Sequence, residues 1–370
     1  YQEALARIEE ARESGATELD LAFLNLTLLP PEIGELTALE SLDLGWNYLE
    51  ELPPEIGQLS NLTVLWLSGN PLTALPSEMG QLTALTELRL GYTPFASVPP
   101  VLWELESLTA LHLTGVQLEE LPPEIGQLAG LEVLVINDCG LVSVPAELWT
   151  LGNLRDLYMG YNDLTSLPPE IGLLTNLEVL DIGLLPLEGL PAELWTLSNL
   201  RKLYLPNLQL DSVPSELWQL TALEYLDLTS NRLEELSPEI GQLTELQALY
   251  LSVNNLSTLP PELWTLTNLR ELMLDDNLLS ELPPEIGQLV NLETLSLYSN
   301  QLTRLPPEVG QLTNLQELWL SYNDLSDLPS ELGQLENLED LPLDGNPLDA
   351  LPPEVVAGGS TAILEYLRAQ

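Results

Sequence analysis

Cys139 is the single thiol and His112 the single imidazole in a chain of 370 residues. A cysteine-built zinc site needs several thiolates, and an imidazole site needs a second ligand close by. Neither set exists here, so metal chemistry on soft ligands is excluded. Cys139 stands where related segments of the chain carry Asn, and a buried structural thiol is expected there. His112 falls at an outward strand position and reads as a surface contact. Carboxylates are the remaining candidates, and a glycosidase would want two of them about 5–10 Å apart. With 57 acids in the chain, pairs at that distance arise by chance, and Glu55, Glu124, Glu170 and Glu285 recur at one fixed place as a solvated row. Asp275-Asp276 is too little for a calcium loop, and no GxxxxGK[ST] phosphate loop occurs. The sequence therefore predicts a protein with no catalytic residues, no cofactor and no metal.

Charge narrows the partners. The 57 acids against 10 bases leave a net charge of −47, which repels phosphate, so nucleic acid and anionic membrane surfaces are not expected as ligands. At 45% hydrophobic the chain is no acidic disordered tail. One cysteine excludes a disulfide framework. No apolar run approaches the length of a membrane span, and no secretory leader pattern opens the sequence. Because it starts at Tyr1, the chain is expected to be cut from something longer.

The elements that would hold these residues are set by an internal repeat. From Leu42 in the segment Leu39-Glu-Ser-Leu42-Asp-Leu44-Gly-Trp-Asn47-Tyr-Leu49, steps of 23 land on a leucine every time as far as Leu341, and one step back lands on Leu19. Fourteen full units and one N-terminal partial unit follow without an insertion. Most read LxxLxLxxNxL and then a segment such as Leu121-Pro-Pro-Glu-Ile-Gly-Gln-Leu128. Alternation of apolar and exposed residues is the period of a half-buried strand. Pro-Pro then turns the chain onto a return path. No unit can bury its leucines alone, so the units must stack. The expected architecture is an α/β solenoid: a curved horseshoe, a parallel sheet of fifteen strands on its concave face, irregular or 3-10 segments on its convex face, and helical caps. Residues 1–15 form the first cap, with Ala4, Leu5, Ile8 and Ala11 on one face. Repeats run over 16–355 and a second cap over 356–370, with Ser360 as its N-cap. Pro342 would delete a ladder N–H and end the sheet.

This pattern resembles the leucine-rich repeat family over roughly residues 16–355. The consensus wording LPPEIGQLTNL, the opening Ala11–Leu21 and the ending Ala362–Arg368 are similar to the repeat portion of bacterial Roco-type GTPases. That resemblance implies an intracellular recognition or regulatory module of a larger GTPase. Cysteine clusters usually close extracellular relatives, and their lack here points to the cytoplasm. The unbroken spacing leaves a third reading open, an engineered or consensus-derived scaffold.

With Leu39 counted as position one of its unit, positions three, five, seven and eight project from the strand and the following turn. Nine of the eleven tyrosines fall there or at position ten: Tyr48, Tyr92, Tyr158, Tyr161, Tyr204, Tyr225, Tyr250, Tyr298 and Tyr322. Trp46, Trp66 and Trp319 join them. Buried-capable rings on an outward face mark binding hot spots. Position five reads Tyr158, Asp181, Tyr204, Asp227, Tyr250 across successive units, a stripe of alternating ring and carboxylate flanked by Tyr161 and Tyr225. The predicted function is binding of a protein or peptide, with a basic segment lying on this stripe and Trp66, His112 and Trp319 as further contacts. Five other tryptophans, Trp103, Trp149, Trp195, Trp218 and Trp264, sit on the return segment, either as core or as a second interface. Position nine is Asn in most units but Thr93, Val116, Cys139, Leu185 and Leu208 in a central block. That block reflects either drift or diversification for binding.

Overall fold

Residues 1–118 and 120–369 are described in the computed structural model, in two compact units, Tyr1–Leu197 and Ser198–Gln370. In the first, eight strands pair in parallel and in chain order: β1 (Glu18–Asp20), β2 (Ser41–Asp43), β3 (Val64–Trp66), β4 (Glu87–Arg89), β5 (Ala110–His112), β6 (Val133–Val135), β7 (Asp156–Tyr158) and β8 (Val179–Asp181). In the second, six do the same: β9 (Lys202–Tyr204), β10 (Tyr225–Asp227), β11 (Ala248–Tyr250), β12 (Glu271–Met273), β13 (Thr294–Ser296) and β14 (Glu317–Trp319). Register never slips, because the central residue of every strand is a leucine facing the core; Leu42 pairs with Leu19 and Leu249 with Leu226. A shift of one residue would turn each of them into water. Leu39, Leu42, Leu44 and Leu49, the four leucines of one LxxLxLxxNxL segment, are all fully buried.

Among the described residues the two units hold fourteen strands between them, one fewer than the spacing predicts. The segment that would follow β14 is reduced to a single bridge between Glu317 and Asp340. Pro342 is the reason: it has no N–H to donate, although its carbonyl accepts from Leu320 N at 3.0 Å.

Return segments are five-residue 3-10 helices, from Pro31–Glu35 to Ser330–Gln334. Most begin with Pro at their first position, where the missing N–H costs nothing. The Gly of Glu-Ile-Gly has a packing reason at Gly57, where a β-carbon would lie 2.3 Å from the carbonyl oxygen of Glu78. Where Trp replaces that Gly the indoles are core: Trp103, Trp149, Trp195, Trp218 and Trp264 are all buried. They therefore offer no second interface. Helix α1 (Gln2–Ser14) covers the first strand with Ala4, Ile8 and Ala11 buried and Leu5 half-buried. At the other end α2 (Pro353–Ala357) starts inside the stretch expected to be repeat, and α3 (Gly359–Arg368) buries Ile363, Leu364 and Leu367. Ser360 is not the cap of α3; it lies inside the helix and donates its hydroxyl to the Leu341 carbonyl.

Position nine is the internal staple. Asn162 accepts from Cys139 N and Leu141 N at 3.0 Å, and its amide donates to the carbonyls of Ile136 and Met159 at 2.8 and 2.9 Å. One buried side chain thus satisfies backbone groups of two consecutive repeats. Thr93 and Cys139 keep part of this, each donating to a carbonyl.

Candidate functional site

In the second unit the register sets Tyr204 beside Asp227 and Asp227 beside Tyr250. Tyr225, two residues earlier on β10, fills the gap between the tyrosines. Its ring centre lies 4.6 Å from that of Tyr204 and 4.9 Å from that of Tyr250. Three phenols therefore form one continuous patch on the solvent side of β9, β10 and β11. The Tyr250 hydroxyl donates to Glu271 at the edge of the patch. Burial, then Asp227, pushes the Tyr225 phenol far up; burial, then the bond to Glu271, does the same to Tyr250. Both stay neutral donors at any physiological pH. Asp227 accepts from Thr229 N at 2.8 Å, so one of its oxygens is committed to its own turn. Arg201 is paired with Glu224 at 3.1 Å, and Lys202 is exposed.

The first unit holds a different arrangement. Arg89 on β4 lies between Trp66 on β3 and His112 on β5. Its guanidinium carbon is 4.4 Å from the centre of the Trp66 ring, and Arg89 Nε and Trp66 Nε1 both donate to Glu87 Oε1, at 2.6 and 3.0 Å. His112 is held below its usual pKa by burial and by the charge of Arg89. Tyr158 pairs with Asp181 as expected. Asp181 is more fully engaged than Asp227: one oxygen accepts from Gly183 N and the other from Asn137 Nδ2, both at 3.0 Å. The same bond from the residue two places on recurs at Asp20 and Asp43, so an Asp at position five first serves its own turn. Tyr161 is exposed in a left-handed turn, φ 56°. Trp319 is half-buried beside Ser296 with its indole N–H unpartnered.

Of the predicted contacts, then, Tyr204, Tyr225, Asp227 and Tyr250 are brought together, and Trp66 and His112 flank Arg89. Tyr161 and Trp319 join neither group. Sequence reasoning missed Glu87, Arg89 and Glu271. Glu87 and Glu271 stand at position three of the repeat following Trp66 and Tyr250, and that offset was a signal open to use.

Cys139 is fully buried, its thiol is pushed up to about 12 chiefly by burial, and its Sγ donates to the Leu113 carbonyl at 3.2 Å. A thiol so placed is neither nucleophile nor ligand. Among the described residues no group of His, Cys, Asp and Glu is placed to hold a metal ion, and no helix is long and apolar enough to cross a membrane.

Family models for a leucine-rich repeat region match residues 18–113, 100–213 and 261–357, and one for a leucine rich repeat matches 221–279. No curated protein matches the chain. Among solved structures it is similar to the leucine-rich repeat protein LIC12759 of Leptospira interrogans, at 37% identity over 96% of both chains with a TM-score of 0.80. The leucine-rich effector YopM of Yersinia pestis is 27% identical over 93% of both chains, with a TM-score of 0.66. A plant peptide hormone receptor, RGFR1 in complex with RGF2, is 29% identical over 90% of this chain and 67% of its own, with a TM-score of 0.54. Proteins of this kind generally mediate protein–protein interactions and typically serve as non-catalytic binding scaffolds. By its repeat, its sheet and these matches, the chain belongs to the leucine-rich repeat family.

Proposed function

We propose that the chain is a non-catalytic protein- or peptide-binding module whose sheet face takes a basic segment of its partner on the patch Tyr204–Tyr225–Tyr250, with Asp227 and Glu271 at its rim. The observation that carries this reading is internal. On the strands of its first unit the protein seats its own Arg89 on an aromatic ring with a carboxylate closing the contact. The tyrosine patch offers rings and acids of the same kind, and Arg201, the arginine beside β9, is paired with Glu224. A guanidinium or ammonium from outside gains cation–π and ion-pair contact there at once, and a net charge of −47 draws it in from a distance. The peptide held by the similar plant receptor supports a peptide-sized ligand.

The test is isothermal titration with an arginine-rich peptide and with its citrulline counterpart. Replacing Tyr204 and Tyr250 together by Ala should cost about 2–4 kcal/mol of binding. Replacing Glu124 and Glu170 by Gln on the return side should change little. A larger loss from the glutamate pair, or equal binding of the citrulline peptide, sinks the reading.

A second reading rests on the repeat wording with the opening Ala11–Leu21 and the ending Ala362–Arg368: a cytoplasmic regulatory domain of a Roco-type GTPase. A phosphate-loop sequence within the same full-length gene would support it.

A further inference from the structure

A separate aromatic surface lies in the first unit, at the turn that follows each strand. Phe23, Trp46 and Tyr92 occupy position eight of their repeats and are 71%, 52% and 53% exposed. The rings of Phe23 and Trp46 are 6.3 Å apart and nearly parallel, at 5°; those of Trp46 and Tyr92 are 6.0 Å apart. The contact spans a whole repeat because the residue between them is Gly69. A β-carbon on Gly69 would lie 2.7 Å from the Trp46 ring, and one on Gly115 would lie 2.5 Å from Tyr92. Glycine at those two positions leaves the rings room to lie over the next repeat as a continuous ridge. All three aromatics have left-handed backbone, φ 57°, 54° and 57°. Some other repeats fill this position with Asn207, Ser230 or Asp276, which bear that conformation at less cost or hide no ring in water. Tyr161 and Tyr322 also occupy it, but among the described residues only here do three rings at position eight follow one another in contact. Aromatic side chains retained at strained, exposed positions point to use.

We propose that this ridge binds a proline-rich segment in the polyproline II conformation, with arginine or lysine between its prolines. Such a segment rises 3.1 Å per residue, so three rings in a row with centres 6.3 and 6.0 Å apart run along about four of its residues. It has no internal hydrogen bonds, and its carbonyls need donors. The indole N–H of Trp46 and the hydroxyl of Tyr92 have no partner within the described residues, and Tyr48, 59% exposed two residues beyond Trp46, adds a second free hydroxyl. Asp20 and Asp43 lie three residues before Phe23 and Trp46 and supply the negative charge that selects basic residues between the prolines. A polyphosphate or nucleic acid is refused by the net charge of −47.

The experiment uses the whole chain and two fluorescent decapeptides of equal charge. One is built of three Pro-Pro-Arg triplets closed by Pro; in the other every Pro is Ala. Anisotropy titrations are run on the unaltered protein, on Trp46→Asn/Tyr92→Asn, which keeps residues suited to the left-handed turn, and on Tyr204→Ala/Tyr250→Ala. The proline peptide should weaken about tenfold or more with the first variant and less than about twofold with the second. Four outcomes overturn the proposal: no binding of the proline peptide, equal loss with both variants, equal affinity of the two peptides for the ridge, or displacement of the peptide by a neutral oligosaccharide at lower concentration. Loss of the alanine peptide only at Tyr204 and Tyr250 would leave the tyrosine-patch reading standing by itself. Circular dichroism of each variant, unchanged from the parent, shows that the fold is kept.

Discussion

Arg89 and Trp66 share one acceptor, Glu87 Oε1, while the guanidinium of the first lies over the ring of the second. The three side chains come from two adjacent strands and form a half-exposed unit, so their coupling is measurable without dismantling the core. A double-mutant cycle of Trp66→Leu and Arg89→Met, followed by urea unfolding, should give a coupling of about 1 kcal/mol. Added salt should reduce it. A coupling near zero would remove the internal precedent for binding a guanidinium at the tyrosine patch.

His112 carries the one pH-dependent signal that can be followed alone. Its folded pKa is lowered from 6.5 by burial first and by Arg89 second, with Glu87 pulling the other way. The unfolded chain therefore takes up this proton at a higher pH than the folded one. Its contribution to stability is complete above about pH 6.5 and falls as the solution is acidified through that value toward the folded pKa. The imidazole proton resonance should titrate with a midpoint below 6.5. Between pH 7 and 5.5 the parent should lose more stability than His112→Gln. A midpoint above 6.5 would mean that Glu87 outweighs burial and Arg89.

Leu185 tests whether the central block without asparagine was diversified at a cost. It is buried at position nine, where Asn162 in the preceding repeat bonds five backbone groups. An asparagine at 185 would reach the equivalent groups, the N–H of Asn162 and Leu164 and the carbonyl of Met159. Leu185→Asn should raise the unfolding free energy by about 1 kcal/mol, read from urea melts. A fall instead would mean that the turn has repacked around the leucine.

What could be read from the sequence divides along physical lines. The strands, the return segments and the inward Asn follow from a leucine spacing that burial enforces, so Leu42 or Asn162 announces its place. Helix α1 was legible because Ala4, Ile8 and Ala11 make a helical stripe. The tyrosine patch was legible only as positions; that Tyr225 would reach both neighbours depends on side-chain direction at 4.6 and 4.9 Å, which spacing alone does not set. The engagement of Asp181 by Asn137, 44 residues away, has no signature in any single repeat. The left-handed turn was invisible for another reason. In all fourteen full repeats the eighth residue has positive φ, from Asp276 at 50° to Gly345 at 77°, yet its side chains range from Gly to Trp. Its N–H is what holds it: Trp46 N donates to Ser68 O, Tyr92 N to Thr114 O and Val253 N to Asp275 O, at 2.7–2.8 Å. Each is a bond to the next repeat. The stack dictates the conformation and residue preference is overridden.

Val253 is where that override should cost most. A β-branched side chain at φ 57° is a genuine outlier, and at 46% exposure it recovers little by burial. Asn207 occupies the same position with φ 54°, which shows the replacement the turn accepts. Val253→Asn should therefore stabilise the second unit by about 1 kcal/mol, with the bond from residue 253 N to Asp275 O retained. Val253→Gly should gain less, because glycine also frees the unfolded chain. Urea unfolding of the two variants beside the parent decides the matter. If Asn destabilises, the valine methyls are packing against the neighbouring turn, and the strain assigned to position eight, the premise of the aromatic ridge at Phe23, Trp46 and Tyr92, is smaller than the backbone angles imply.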